Sequence, residues 1–255
     1  GNTGTATQNV TIQDTTAPAL SLLGNTPVTV EGGAAYSDAG ATASDIVDGD
    51  LTASIVVGGL PINTSVLGTH TVTYNVTDSS GNAAVQVTRT VNVVDTTPPV
   101  ITMPPDVTVD QTGDLTPVTL GAATVTDNIA VASVTHNVPA EGYPVGITIV
   151  TGTATDTSGN VSSATVQVTV NPVPLVQLQI LKDFLNSLAL NSGLYKKLNK
   201  NLSEAETAII SGNNAGAIKA LNSFINTVQS NTPQSIAQAD ADEMIQRAQA
   251  IIALL

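Results

Sequence analysis

At 255 residues, with no Cys, no Trp and only six other aromatic side chains, the chain is long enough for two or three compact domains but has no disulfide or thiol chemistry. Its net charge of −13 sits in the first two-thirds: 14 Asp and Glu face a single base, Arg89, before Pro172, whereas six acids face six bases after it. Such an acidic surface repels nucleic acid and anionic membranes and attracts divalent cations. No apolar run approaches the roughly 20 residues of a membrane-crossing helix, so membrane insertion is not expected. Gly1 to Val10 is polar and lacks the basic and apolar parts of a signal peptide, so an export signal is expected upstream or already removed.

The first predicted element is a strand within Gly1–Asp14, and an internal repeat gives it meaning. Asp14-Thr-Thr-Ala-Pro18 recurs as Asp95-Thr-Thr-Pro-Pro99, and the alternating Val10-Thr-Ile12 before it recurs as Val91-Asn-Val93. Thr77-Asp-Ser-Ser-Gly-Asn82 recurs as Thr155-Asp-Thr-Ser-Gly-Asn160, and Gly40-Ala-Thr-Ala-Ser-Asp45 resembles Ala122-Ala-Thr-Val-Thr-Asp127. Order and spacing agree, so one module is used twice. Gly1-Asn2 lines up with Gly81-Asn82, which makes residues 1–14 the expected last strand of an upstream module. Two origins stay open for it: a cut at an exposed turn, or a strand that completes a neighbouring subunit's sheet and drives homo-assembly.

Residues 15–95 and 96–171 are the two expected complete modules. Both read as all-β. In Thr69–Asp78 the residues Val72, Tyr74 and Val76 alternate with polar neighbours, and Val166, Val168 and Val170 do the same in Ala164–Val170. About seven short strands in some 80 residues, bounded by Gly, Pro, Asn and Asp, predict an immunoglobulin-like β-sandwich. Pro98-Pro99 marks a stiff boundary between the modules.

After Pro174 the period changes from two to 3.6. Apolar stripes run through Leu178, Leu181, Leu185 and Leu188; Leu194, Leu198, Leu202, Ala205 and Ile209; Ala217, Ile218, Leu221, Ile225 and Val228; and Ala241, Met244, Ile245, Ala248 and Ile252. Gly193, Gly212-Asn213 and Thr232-Pro233 supply the breaks. Residues 172–255 are therefore expected to form a four-helix module, in which Lys196, Lys197 and Lys200 lie on a solvated face. The predicted fold is mainly β plus α: two tandem immunoglobulin-like sandwiches followed by a small helical bundle.

Three families resemble these segments. Asp14–Asp95 resembles the bacterial surface-protein Ig-like family through Asp14-Thr-Thr-Ala-Pro, Asp38-Ala-Gly-Ala-Thr-Ala, Asp48-Gly-Asp-Leu-Thr, Gly68-Thr-His-Thr-Val-Thr-Tyr and Asp78-Ser-Ser-Gly-Asn. Asp95–Asn171 resembles a hyalin-repeat (HYR) module through Asp95-Thr-Thr-Pro-Pro-Val, Ala123-Thr-Val-Thr-Asp-Asn128 and Ala154-Thr-Asp-Thr-Ser-Gly-Asn160. The tail resembles the FIMAH module through Leu198, Ala205, Gly212-Asn213, Ala217, Leu221, Phe224-Ile225, Ala241, Ile245, Ala248 and Ile251-Ile252. These resemblances imply export, an extracellular or cell-surface location, and a role in adhesion, spacing or attachment to a protein or cell-envelope partner. Such modules also occur as appendages of secreted hydrolases, which leaves an accessory region of an enzyme, or a filament subunit, as alternatives.

No catalytic constellation is visible. Nucleophilic catalysis needs an oriented base, and the two histidines, His70 and His136, fall in or beside strand patterns. Two histidines do not make a typical zinc site unaided. The sandwiches contain no Lys, so no internal Lys–Asn isopeptide bond forms there. The acids are the one informative group. In an Ig-like sandwich the incoming linker and two loops meet at one pole. That places Asp14, Asp45 and Asp78 together in the first module, and Asp95, Asp127 and Asp156 in the second. Asn82, Asn128 and Asn160 stand ready to add carbonyl oxygens. Hard Ca²⁺ takes six to eight such oxygens, so calcium at the inter-module joints is one reading; ordinary Asp and Asn turn chemistry is the other. Asp48-Gly-Asp50 matches only part of a calcium loop.

Overall fold

The computed structural model describes residues 4–255 and confirms the division into a β-rich first two-thirds and a helical last third. Packing resolves the chain into two compact units. One runs to Val100 and takes in Val125–Ser133 and Ala154–Ser162; the other takes in Ile101–Thr124, Val134–Thr153 and Ser163–Leu255. Part of the expected N-terminal strand, residues 1–3, lies outside the described residues. Residues 4–13 form no strand and are exposed, with Val10 and Ile12 open to solvent. A strand needs a ladder partner for its N–H and C=O groups, and among the described residues no strand pairs with these.

The first sandwich is built from β1 (Ala19–Leu22), β2 (Val28–Glu31), β3 (Ala41–Asp45), β4 (Gly49–Asp50), β5 (Val56–Gly58), β6 (Gly68–Asn75) and β7 (Val87–Val94). They form a three-stranded sheet, β1-β3-β4, and a four-stranded sheet, β2-β7-β6-β5. The period-two alternation turns Val72, Tyr74, Val91 and Val93 inward, and the first three meet Ala41 with Leu20, Leu22 and Val30 around them. β2 joins β7 in parallel, Val28 opposite Val91, so the chain closes its sheet with a non-local pairing.

One inward position of β7 holds a charge. Arg89 is fully buried and ion-pairs with Asp38. Its guanidinium also donates to the Leu23 carbonyl, the Gly40 carbonyl (3.1 Å) and the Tyr74 hydroxyl (3.2 Å). Asp38 accepts in turn from the Tyr36 hydroxyl (2.8 Å), the Tyr74 hydroxyl and the Gly40 N–H (2.8 Å). Burial alone pushes the Asp38 carboxyl up, but the hydroxyls of Tyr74 and Tyr36, the Gly40 N–H and Arg89 outweigh it and hold the group below its ordinary range. Burial and the hydrogen bond to Asp38 raise the Tyr74 hydroxyl.

The second sandwich comprises β8 (Val100–Thr102), β9 (Val107–Asp110), β10 (Thr124–Thr126), β11 (Val131–His136), β12 (Gly146–Asp156) and β13 (Val161–Asn171). Its sheets are β10-β8 and β11-β12-β13-β9, and β9 joins β13 in parallel as β2 joins β7. Its core gathers Tyr143, Val150, Val166, Val168 and Val170.

Four helices follow: α1 (Pro174–Ser187), α2 (Ser192–Ile210), α3 (Asn214–Ser230) and α4 (Gln238–Ala253). Pro174 opens α1, where its missing N–H costs nothing. Asn191 and Asn213 cap α2 and α3, accepting from the N–H groups of Leu194 and Gly216 at 2.9 Å. Gly193, expected to break the helix, lies instead in the first turn of α2, because the cap at Asn191 sets the start two residues earlier. The predicted stripes meet in one core of Leu178, Leu181, Leu185, Leu198, Leu202, Leu221, Met244 and their neighbours, to which Phe224 and Ile236 add bulk. Within the same unit, buried Gln111 ties β9 to the start of α1. It accepts from the Val173 N–H (3.3 Å) and the Gln177 amide (2.8 Å).

Candidate metal centre

The repeated acids form two clusters built from the same local rules. In the second sandwich, Asp95, Asp127 and Asp156 each bring a carboxylate oxygen within 4.8 Å of the others. Asp95 comes from the linker after β7, Asp127 follows β10 and Asp156 ends β12. Asp127 Oδ1 accepts from the N–H groups of Ile129 and Ala130, both at 2.9 Å, an Asx turn that fixes the carboxylate. Asp156 Oδ1 accepts from Ser158 and Asn160 N–H groups, and its Oδ2 accepts from the Asn160 amide, all at 2.8 Å. The same Asn160 amide reaches the Asp95 carbonyl at 3.2 Å, and Ser158 Oγ donates to Asp95 Oδ2 at 3.0 Å.

The pole of the first sandwich repeats most of this. Asp45 Oδ1 accepts from Val47 and Asp48 N–H groups at 2.7 and 3.0 Å. Asp78 accepts from the Asn82 N–H (2.7 Å) and amide (2.8 Å), and that amide reaches the Asp14 carbonyl at 3.2 Å. The carboxylates that meet within 4.8 Å are, however, Asp14, Asp45 and Asp48; Asp78 is not in that group. Asp48 is the residue that sequence reasoning left in a separate motif. Ser79 draws it in, donating its N–H and hydroxyl to the two Asp48 oxygens, each at 2.8 Å. Ala130 stands at the equivalent position in the second sandwich. Asn82 and Asn160 turn their amide nitrogens toward the acids, and Asn128 donates to the Gly32 carbonyl at 3.0 Å, so the structure gives all three a donor role.

The electrostatics are one-sided. Hydrogen bonds from the Asp48 and Val47 backbone hold Asp45 below the ordinary carboxylate range. At Asp156, burial pushes upward, but the Asn160 side chain and the N–H groups of Asn160, Ser158 and Gly159 outweigh it and lower the group. Both remain anionic near neutral pH. The one base before Pro172, Arg89, is committed to Asp38. Asp14 Oδ2, Asp45 Oδ2 and Asp127 Oδ2 are buried with no hydrogen-bond partner. A buried carboxylate oxygen without a donor is costly and calls for one. A cation coordinated by aspartate oxygens and backbone carbonyls would meet that demand. His70, by contrast, uses Nε2 on the Val66 carbonyl at 2.8 Å, and His136 lies on exposed β11.

The joint around the second cluster carries contacts that composition could not reveal. Glu31, at the end of β2, accepts from the N–H and hydroxyl groups of both Thr96 and Thr97 at 2.8–3.1 Å. These bonds, led by the Thr96 N–H, lower its carboxyl. Ile129 packs onto Gly32 so closely that a Cβ there would lie 2.6 Å from Ile129 Cδ1.

Comparison with known proteins agrees with the modular reading. Residues 20–93 match the family described as bacterial surface protein, Ig-like domain; residues 94–170 match the HYR domain; residues 177–253 match the FIMAH domain. The chain is similar to Hyalin of Lytechinus variegatus and of Strongylocentrotus purpuratus, 45% identical to each over 112 residues, or 41% of this chain. That stretch spans only 21% and 9% of those proteins. A solved lipoprotein of Bacteroides thetaiotaomicron overlaps 58% of this chain and 77% of its own at 15% identity, with a TM-score of 0.29, too low to carry an argument. Successive segments of the chain therefore match, in order, the models of a bacterial surface-protein Ig-like domain, an HYR domain and a FIMAH domain.

Proposed function

We propose that this chain is a non-catalytic spacer and attachment section of an extracellular or cell-surface protein, whose sandwich joint is stiffened by Ca²⁺. In this reading the modules divide near residues 14, 95 and 171. The sandwiches set distance and direction, and the helical module presents a face to a protein or envelope partner. The observation that carries the reading is the joint cluster of Asp95, Asp127 and Asp156, with Asp127 Oδ2 buried and lacking a donor. Three carboxylates gathered without a base are mutually repulsive. A divalent ion converts that repulsion into a clamp joining the linker to two loops of the next sandwich. The similarity to Hyalin and to surface-protein domains supports the adhesive and structural setting.

The test is thermal unfolding in EDTA and in about 10 mM CaCl₂. Extracellular calcium modules bind at roughly 10⁻⁴–10⁻³ M, so about 10 mM ion is some 10–100 times Kd and adds about 1.4–2.7 kcal/mol per site. For a module of this size that raises Tm by at least about 5 °C. An unchanged Tm, with no calcium uptake by calorimetry, would remove the metal from the proposal.

A further inference from the structure

The two poles differ in one respect that the repeat makes informative. Asp45-Ile-Val-Asp48 and Asp127-Asn-Ile-Ala130 occupy the same place and make the same Asx turn. Ile129 is half-buried because it seats on the buried Gly32, beside Leu67, while Asn128 bonds the Gly32 carbonyl. Its counterpart Val47 is 65% exposed, and neighbouring Ile46 is 87% exposed. An exposed apolar side chain at a position whose repeat is covered, as Val47 is against Ile129, points to a missing cover. A second pair agrees: Val10 (77% exposed) and Ile12 (93% exposed) correspond to Val91 and Val93, which are buried in the first sandwich. The linker acid Asp14 likewise matches Asp95, and both Asp14 Oδ2 and Asp45 Oδ2 are buried without a partner.

From this we infer that the Ile46–Val47 knob is a docking surface for the pole of a preceding Ig-like sandwich, which receives it on a glycine turn of the Gly32–Gly33 type. Residues 6–13 supply that sandwich's closing strand, as β7 does in the first sandwich. The occupant is specified by chemistry. The surface needs a partner turn with no Cβ where Val47 lands, and an acid like Glu31 to accept from the N–H and hydroxyl groups of Thr15 and Thr16, as Glu31 does for Thr96 and Thr97. The inference deepens the proposed array but does not depend on calcium.

The absence of Cys allows a direct test, since a single Val47→Cys thiol is the chain's only one. Its alkylation rate is measured in the chain as it stands and in a chain extended by a second copy of residues 15–94 placed directly before Asp14. The Ile129→Cys chain provides the slow reference. Docking predicts rapid reaction in the unextended chain and a rate lower by roughly tenfold or more in the extended one, as expected for a site that reacts only on local opening. Gly32→Ala in the added copy should restore the fast rate. Equal, fast rates in both chains would overturn the inference, as would a fast Ile129→Cys reference. Slowing that grows with concentration in the unextended chain would name a second copy as occupant and also overturn it. Running each arm in EDTA and in CaCl₂ separates the proposals: protection without calcium dependence sustains docking while the metal reading fails.

Discussion

Replacing Asp38 by Ala leaves the Arg89 guanidinium fully buried without its counter-charge and strips the Tyr36 and Tyr74 hydroxyls and the Gly40 N–H of their acceptor. Breaking a buried pair from one side costs about 3–5 kcal/mol. Against a typical domain stability of about 5–15 kcal/mol, that takes the first sandwich close to its limit. At roughly 4–8 °C per kcal/mol for a module of this size, its Tm should fall by about 12–40 °C. Removing both charges, Asp38→Leu with Arg89→Met, should recover much of the loss, because the desolvation cost disappears with the pair. The double-mutant cycle should therefore report a coupling of at least about 2 kcal/mol. A chain of several modules does not unfold in one step, so the assay follows the methyl resonances of Val72 and Val91 through a urea titration. A cost below about 1 kcal/mol for Asp38→Ala, or additive single changes, would refute the view that this network holds the sandwich together.

Other outcomes follow from the same geometry. The Asp38 carboxyl is lowered on folding from an ordinary value near 3.8, so its stabilisation is complete above about pH 5 and is lost as pH falls through the depressed folded value; acid titration of the Val72 and Val91 resonances checks this. Tyr74 is raised from 10.0, so its contribution holds below pH 10 and fades as pH climbs beyond it; alkaline titration should unfold wild type before a Tyr74→Phe chain at matched starting stability. Gly32→Ala should cost about 1–3 kcal/mol by overpacking against Ile129 and should shift the Ile129 methyl signals, whereas Gly4→Ala, in open space, should do neither. Asp127→Asn should weaken calcium binding at the joint by on the order of tenfold or more, read by isothermal calorimetry.

Much of this architecture was visible in the residue pattern, because period-two and period-3.6 burial are local properties. Val72, Tyr74 and Val166 lie inward as their alternation requires, and the apolar stripes of all four helices meet in one core. The convergence of Asp95, Asp127 and Asp156 was legible too, since a repeated motif at one pole of a known topology fixes which loops meet. Asp48 was missed because its recruitment depends on Ser79, 31 residues away, whose N–H and hydroxyl hold it. Arg89 left a readable trace: it shares the inward register of Val87, Val91 and Val93. Its partner Asp38 left none, because that pairing spans 51 residues and is set by tertiary packing. The Glu31 clamp and the Ile129 contact belong to the joint, where no periodicity operates.

The buried arginine has a further consequence, for proteolysis. Trypsin-like enzymes cut after Lys or Arg, and before Pro172 the chain offers them one bond, after Arg89, whose side chain is fully buried. The helical module offers six such residues. Lys- and Arg-directed proteases therefore find their exposed targets in the tail, and cleavage after Arg89 reports the population of opened first sandwich rather than surface accessibility. The residue that closes the core of that sandwich also makes its only tryptic bond an internal gauge of its stability.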